Sequence, residues 1–68
     1  MKIREFLPLL GYSQEITIWH KPHTLAGPYE RYTTDIAGEA YLEDYILDSG
    51  ITSIHTNADG ILVIYCIG

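Results

Sequence analysis

Residues 51–67 read ITSIHTNADGILVIYCI, and the fold turns on this stretch. Two runs rich in β-branched residues, ITSIHT and ILVIYCI, flank Asn57, Ala58, Asp59 and Gly60, which predicts a hairpin with a short loop. In the second run Leu62, Ile64 and Cys66 point one way, and Ile61, Val63, Tyr65 and Ile67 point the other. An antiparallel strand with one wet face alternates apolar with polar residues, and this one is apolar on both sides. Two arrangements satisfy it: helices over both faces of the sheet, or a second subunit over one. With only two short helices in the chain the second is favoured, so a homo-oligomer is expected.

Upstream, DIAGEAYLEDYILDSG at 35–50 reads as a helix. Tyr41, Leu42, Tyr45 and Ile46 form its apolar stripe, Glu43, Asp44 and Asp48 lie away from it, Asp35 is the N-cap and Gly50 the left-handed C-terminal glycine. EITIWHK at 15–21 alternates like a strand, and YERYTT at 29–34 gives a second one with polar groups on both faces, hence an edge. The segment between them, KPHTLAGP, is a loop. At the N-terminus Ile3, Phe6, Leu7 and Leu10 share one helical face that Gly11 ends, with Pro8 keeping the helix short or kinked. The expected fold is a single α+β domain over 1–68, in the order α-β-β-α-β-β, with a mainly antiparallel sheet.

Sixty-eight residues bury only about 60% of the surface that the unfolded chain exposes, so the core needs help from disulfides, a metal or self-association. A single cysteine, Cys66 in an apolar strand, excludes internal disulfides and reads as a small core residue of a reducing cytosol. The N-terminal apolar run is interrupted by Arg4, Glu5 and Pro8 and lacks a cleavage site, and no segment reaches a membrane span of ~20 apolar residues. A cytoplasmic protein, in a host cytoplasm, is expected. Charge is unevenly spread: residues 1–31 balance at +1, and residues 32–68 carry six acids and no Lys or Arg. Such a chain lacks the basic stripe that a nucleic-acid polymer requires, while a small anion held by a few fixed groups stays within reach.

Catalytic and metal patterns are weak. His20 and His23 straddle a proline without the further N or S ligands that zinc requires. Cys66 and His55 can be drawn as nucleophile and base, yet Cys66 shares a face with Leu62 and Ile64, where a thiol is inert. Glu39 and Glu43 lie one helical turn apart on the expected helix, where a solvated face is the ordinary outcome and an acidic protein-binding face the sharper one. The concentrated feature is 19–32. Trp19, Tyr29 and Tyr32 offer flat rings, and His20, Lys21, His23 and Arg31 offer donors and positive charge. Those are the components of a nucleotide pocket, since each stacked base contributes about 1–3 kcal/mol and Arg or Lys holds the phosphate. The same residues also serve as core, interface or solubilising groups.

The opening helix, EITIWHK, the segment from DIAGE and above all ITSIHTNADGILVIY resemble small accessory proteins of bacteriophages and prophages, along nearly the whole chain. The resemblance implies an anti-defence role and carries over no site residue. Two expectations follow. One is a non-enzymatic protein that sequesters a small nucleotide signal through Trp19, His20, Lys21, His23, Tyr29, Arg31 and Tyr32, without cofactor or metal. The other is an inhibitor that blocks a host defence enzyme, such as a CRISPR effector, through its acidic helix.

Overall fold

A computed structural model describes residues 1–22 and 27–68. Helix α1 (Ile3–Phe6) runs into a tighter turn at Leu7–Leu9, the shortening expected from Pro8. Strands β1 (Glu15–Lys21) and β2 (Glu30–Ile36) follow, then helix α2 (Asp44–Leu47) and strands β3 (Gly50–Thr56) and β4 (Leu62–Ile67). The α+β class and the α-β-β-α-β-β order are those read from the sequence. The sheet order is β2-β1-β4-β3, so β2 is an edge as expected. The β1/β2 and β3/β4 pairs are antiparallel, while the central β1/β4 pair is parallel, with Ile16 beside Leu62 and Ile18 beside Ile64. The β3–β4 loop turns through Gly60 at φ 78°, a conformation that costs a side-chain-bearing residue.

The helix expected over 35–50 is a single turn. Asp35 and Ile36 belong to β2, and Asp35 uses its carboxylate to accept from the Ile36 N–H rather than to cap a helix. The ladder then continues past the strands: Ala37 N–H donates to the Gln14 carbonyl and Gly38 N–H to the Tyr12 carbonyl, both at 2.8 Å. Gly38 lies against the Tyr12 ring, where a Cβ would overlap it. Long-range pairing of 36–38 with 12–14 thus overrides the local helical pattern. Tyr41 is 89% exposed, Leu42 and Ile46 alone of the stripe are buried, and Gly50 begins β3 without a positive φ.

The core is one cluster: Ile3 from α1, Leu42 and Ile46 around α2, and Ile16, Ile18, Ile64 and Cys66 from the two central strands. Phe6, Leu7 and Leu10 pack around its rim, as the spacing of the first helix predicts. Both helices therefore cover the same face of the sheet. Arg4 ties them together from outside, donating to Asp48 at 2.9 Å and Asp44 at 3.4 Å, and the hydrogen bond from Arg4 holds the Asp48 carboxyl below its ordinary range. Ser49, buried at the end of α2, donates its hydroxyl to the Tyr45 carbonyl.

Cys66 is fully buried, and burial pushes its thiol up, against a smaller opposing effect from Ser49. Because the thiolate is the reactive form, the folded chain should resist a thiol reagent near neutral pH. Labelling of Cys66 is expected to follow the denaturant unfolding curve. Rapid labelling of the native chain would show that the site opens locally. The sign of the linkage is also fixed: the raised folded value favours the neutral thiol, so this contribution is intact below the unfolded thiol value and fades as pH rises through the folded one.

Candidate functional site

Strand alternation sorts side chains onto two faces. On β1, Ile16, Ile18 and His20 face the helices, and Thr17, Trp19 and Lys21 face away. Parallel pairing sets Thr17 beside Val63, Trp19 beside Tyr65 and Lys21 beside Ile67. A break in register between Ile18 and Trp19 makes Arg31 the cross-strand partner of Trp19. The same kind of break on β3 sets Ser53 beside Tyr65 and His55 beside Val63. None of the core residues contributed by the helical segments lies on this second face.

Aromatic side chains cover its centre instead. Tyr65 is the hub: the Trp19 ring lies near-parallel to it at 6.2 Å and 17°, and the His55 ring at 5.8 Å and 24°. Three rings from β1, β4 and β3 thus form a row across adjacent strands. Tyr29 meets Tyr65 edge-on at 5.1 Å, and its hydroxyl is 3.0 Å from the Thr52 hydroxyl on β3. Thr52 in turn donates to the Tyr65 carbonyl at 3.2 Å, so Tyr29 is anchored from the far side of the sheet. The Lys21 ammonium sits 5.0 Å from the centre of the Tyr29 ring, within cation–π range. Trp19, Tyr29 and Tyr65 are half-buried and His55 is exposed, so the row keeps solvent-facing ring surface.

The seven expected site residues do not all converge. Trp19, Lys21 and Tyr29 gather on the open face, and Arg31 is the cross-strand neighbour of Trp19 on the edge strand, where it also borders the cleft on the other side. His20 and Tyr32 turn to the helix side, where both meet Tyr45 edge-on, at 5.7 Å and 6.2 Å. His20 also donates through Nε2 to the Gly68 carbonyl at 2.8 Å. With Pro22, Glu30 and Arg31 these residues line a cleft of about 220 Å³. Partial desolvation, then the nearby Glu43 charge, raises the Tyr45 hydroxyl above its ordinary value. His23 lies outside the described residues. Tyr65 and His55 belong to the ring row but are not among the seven residues expected from the sequence. Alternation already placed Tyr65 on the non-core face, but its position beside Trp19 depends on the parallel β1/β4 pairing, for which the sequence has no local signal.

Electrostatics set this face apart. Its register positions hold Lys21, Arg31 and the single acid Glu15, at the other end of β1, whereas the other surfaces carry the remaining eight acids against Lys2 and Arg4. Among the described residues the ion pairs all belong to Arg4, and Lys21 and Arg31 make none. The expected acidic helix face is not assembled. Asp35 is in β2, Glu39 accepts from the Tyr12 hydroxyl in a turn, and Asp44 and Asp48 face Arg4. Cys66 and His55 lie on opposite faces of the sheet, which removes that nucleophile–base pair. Among the described residues no group of three or more His, Cys, Asp or Glu is placed to hold a metal, and no helix is long and apolar enough to cross a membrane. Of the two larger clefts, about 330 Å³ each, one is lined mostly by apolar groups around Leu7 and Leu47, and the other carries Glu15 and Asp59, which repel an anion.

No family model, curated protein or solved structure matches the chain.

Proposed function

We propose that the chain is a non-enzymatic binding protein that holds a small planar anion, a nucleotide, on the open face of its sheet. The observation that carries this reading is the row Trp19–Tyr65–His55 with Lys21 and Arg31 at the same end of the face. A base stacks on any exposed aromatic face, and two unpaired cations suit one or two phosphates. Two cations are too few for a polymer, whose affinity grows with the number of phosphates neutralised. The local balance also matters, because a chain with net charge −5 attracts an anion only where its carboxylates are remote. Sequestration of a nucleotide signal against a host defence is the biological form of this reading, and its support is the resemblance to phage accessory proteins.

The experiment uses the lone tryptophan. Mono-, di- and cyclic nucleotides are titrated while Trp19 fluorescence and the melting temperature are followed, with ribose phosphate as the control lacking a base. Quenching together with a rise in melting temperature is expected for a nucleotide and not for the control. At a hundredfold excess over Kd the ligand stabilises the fold by about 2.7 kcal/mol, a shift on the order of 10 °C for a domain this small. Absence of both signals with every nucleotide at millimolar concentration would overturn the reading.

A further inference from the structure

The outer side of β3 is covered only at its start. There Ile51 N–H donates to the Met1 carbonyl at 2.8 Å, and Ile3 N–H to the Ser49 carbonyl at 3.1 Å. Towards the hairpin, Asn57 N–H donates inward to Ile61, so antiparallel alternation aims the backbone of 57, 55 and 53 at β4 and that of Ile54 and Thr56 outward. Among the described residues no backbone hydrogen bond outside the sheet reaches Ile54 or Thr56. The two edges of the sheet are built differently. β2 carries Glu30, Arg31 and Asp35 and is interrupted near its middle, the usual means of blocking further pairing. β3 has no Asp, Glu, Lys, Arg or Pro, and past its own irregularity at Ile51/Ser53 it runs regularly to Thr56. Ile54 on this edge is 39% exposed.

We propose that residues 52–56 pair antiparallel with the same residues of a second copy, Ile54 opposite Ile54 and Thr56 opposite Thr52, to form one eight-stranded sheet about a two-fold axis. An antiparallel edge is self-complementary under that symmetry, since each outward N–H meets the carbonyl of its mate. Charge leaves this edge open to a second copy: two chains of net charge −5 repel, but β3 itself carries no carboxylate, and of the flanking acids Asp48 is paired with Arg4 and Asp59 lies in the hairpin loop. The pairing covers Ile54 and supplies burial that a 68-residue core lacks. It also makes His55 of the two copies diagonal neighbours on the open face, so that two rows of three rings meet end to end. The dimer stands independently of any ligand.

The test uses the full chain without nucleotide. Solution mass is expected to be twice the 7.7 kDa of one chain at high concentration and to fall on dilution. Amide exchange at Ile54 and Thr56 should be slow in the dimer and fast in the dilute chain. Ile54→Lys should give a single-chain mass with an unchanged circular dichroism spectrum. Thr56→Pro, which deletes one outward N–H and leaves the apolar surfaces alone, should do the same. A single-chain mass at every concentration would overturn the proposal. So would a dimer in which Ile54 and Thr56 exchange at exposed rates, or one that survives both substitutions. Should either variant fail to fold, the exchange measurement on the native chain decides.

Discussion

Replacing Ile64 by alanine is expected to remove a large part of the stability of the domain. Ile64 is fully buried in β4, beside Ile18 on one side and Ile54 on the other, and belongs to the cluster that Ile3 and Ile46 close from above. Truncating a buried Ile costs about 2–5 kcal/mol, the lost transfer energy plus the cavity left behind. A domain of 68 residues has a total stability of roughly 3–10 kcal/mol. The loss is therefore a large fraction of the margin, and the centre of a four-stranded sheet flanked by paired strands has little freedom to collapse into the gap. Urea denaturation followed by circular dichroism measures it. A loss under about 1 kcal/mol would mean that the two central strands do not share one tightly packed core.

Replacing Trp19 by leucine is expected to weaken nucleotide binding by about 5- to 150-fold, the equivalent of one stacking interaction of about 1–3 kcal/mol. Leucine keeps apolar bulk beside Tyr65 while removing the π surface, so the fold persists and the effect on binding stands alone. His20→Leu is the matched control from the next position in the strand. His20 points to the other face of the sheet, against Tyr45, and its loss should leave affinity unchanged. Calorimetric titration of the two variants separates the faces. Equal losses in both would place the ligand at the strand end or in the cleft beside Tyr45 rather than on the ring row.

β1 could be read from the sequence to the residue, because EITIWHK combines alternation with β-branched and aromatic residues along its whole length. The hairpin of β3 and β4 was legible to within one residue at the start of each strand, its loop signalled by Asn57-Ala58-Asp59-Gly60, where Gly60 takes a positive φ. The second helix was not. Tyr41, Leu42, Tyr45 and Ile46 have helical spacing, but backbone bonds from Ala37 and Gly38 to residues far back in the chain hold the preceding segment extended. Nor did the apolar character of both faces of β4 indicate its cause. One face meets the helices, and the other is covered in its centre by rings from β1, β3 and the approach to β2. That covering depends on the parallel partnership of β1 with β4, a long-range pairing without local trace. The site was legible in part for the same reason: Trp19, Lys21, Tyr29 and Arg31 are near in sequence, whereas Tyr65 and His55 arrive from its other end.

The parallel central pair also governs how the chain folds. Ile16 gains its second neighbour only when Leu62 arrives from the other end of the chain, so until β4 docks the β1–β2 hairpin has one long side unsatisfied. Contacts so distant in sequence slow folding and prolong exposure of sticky intermediates. Closure of the sheet is the act of β4, which alone joins the two hairpins.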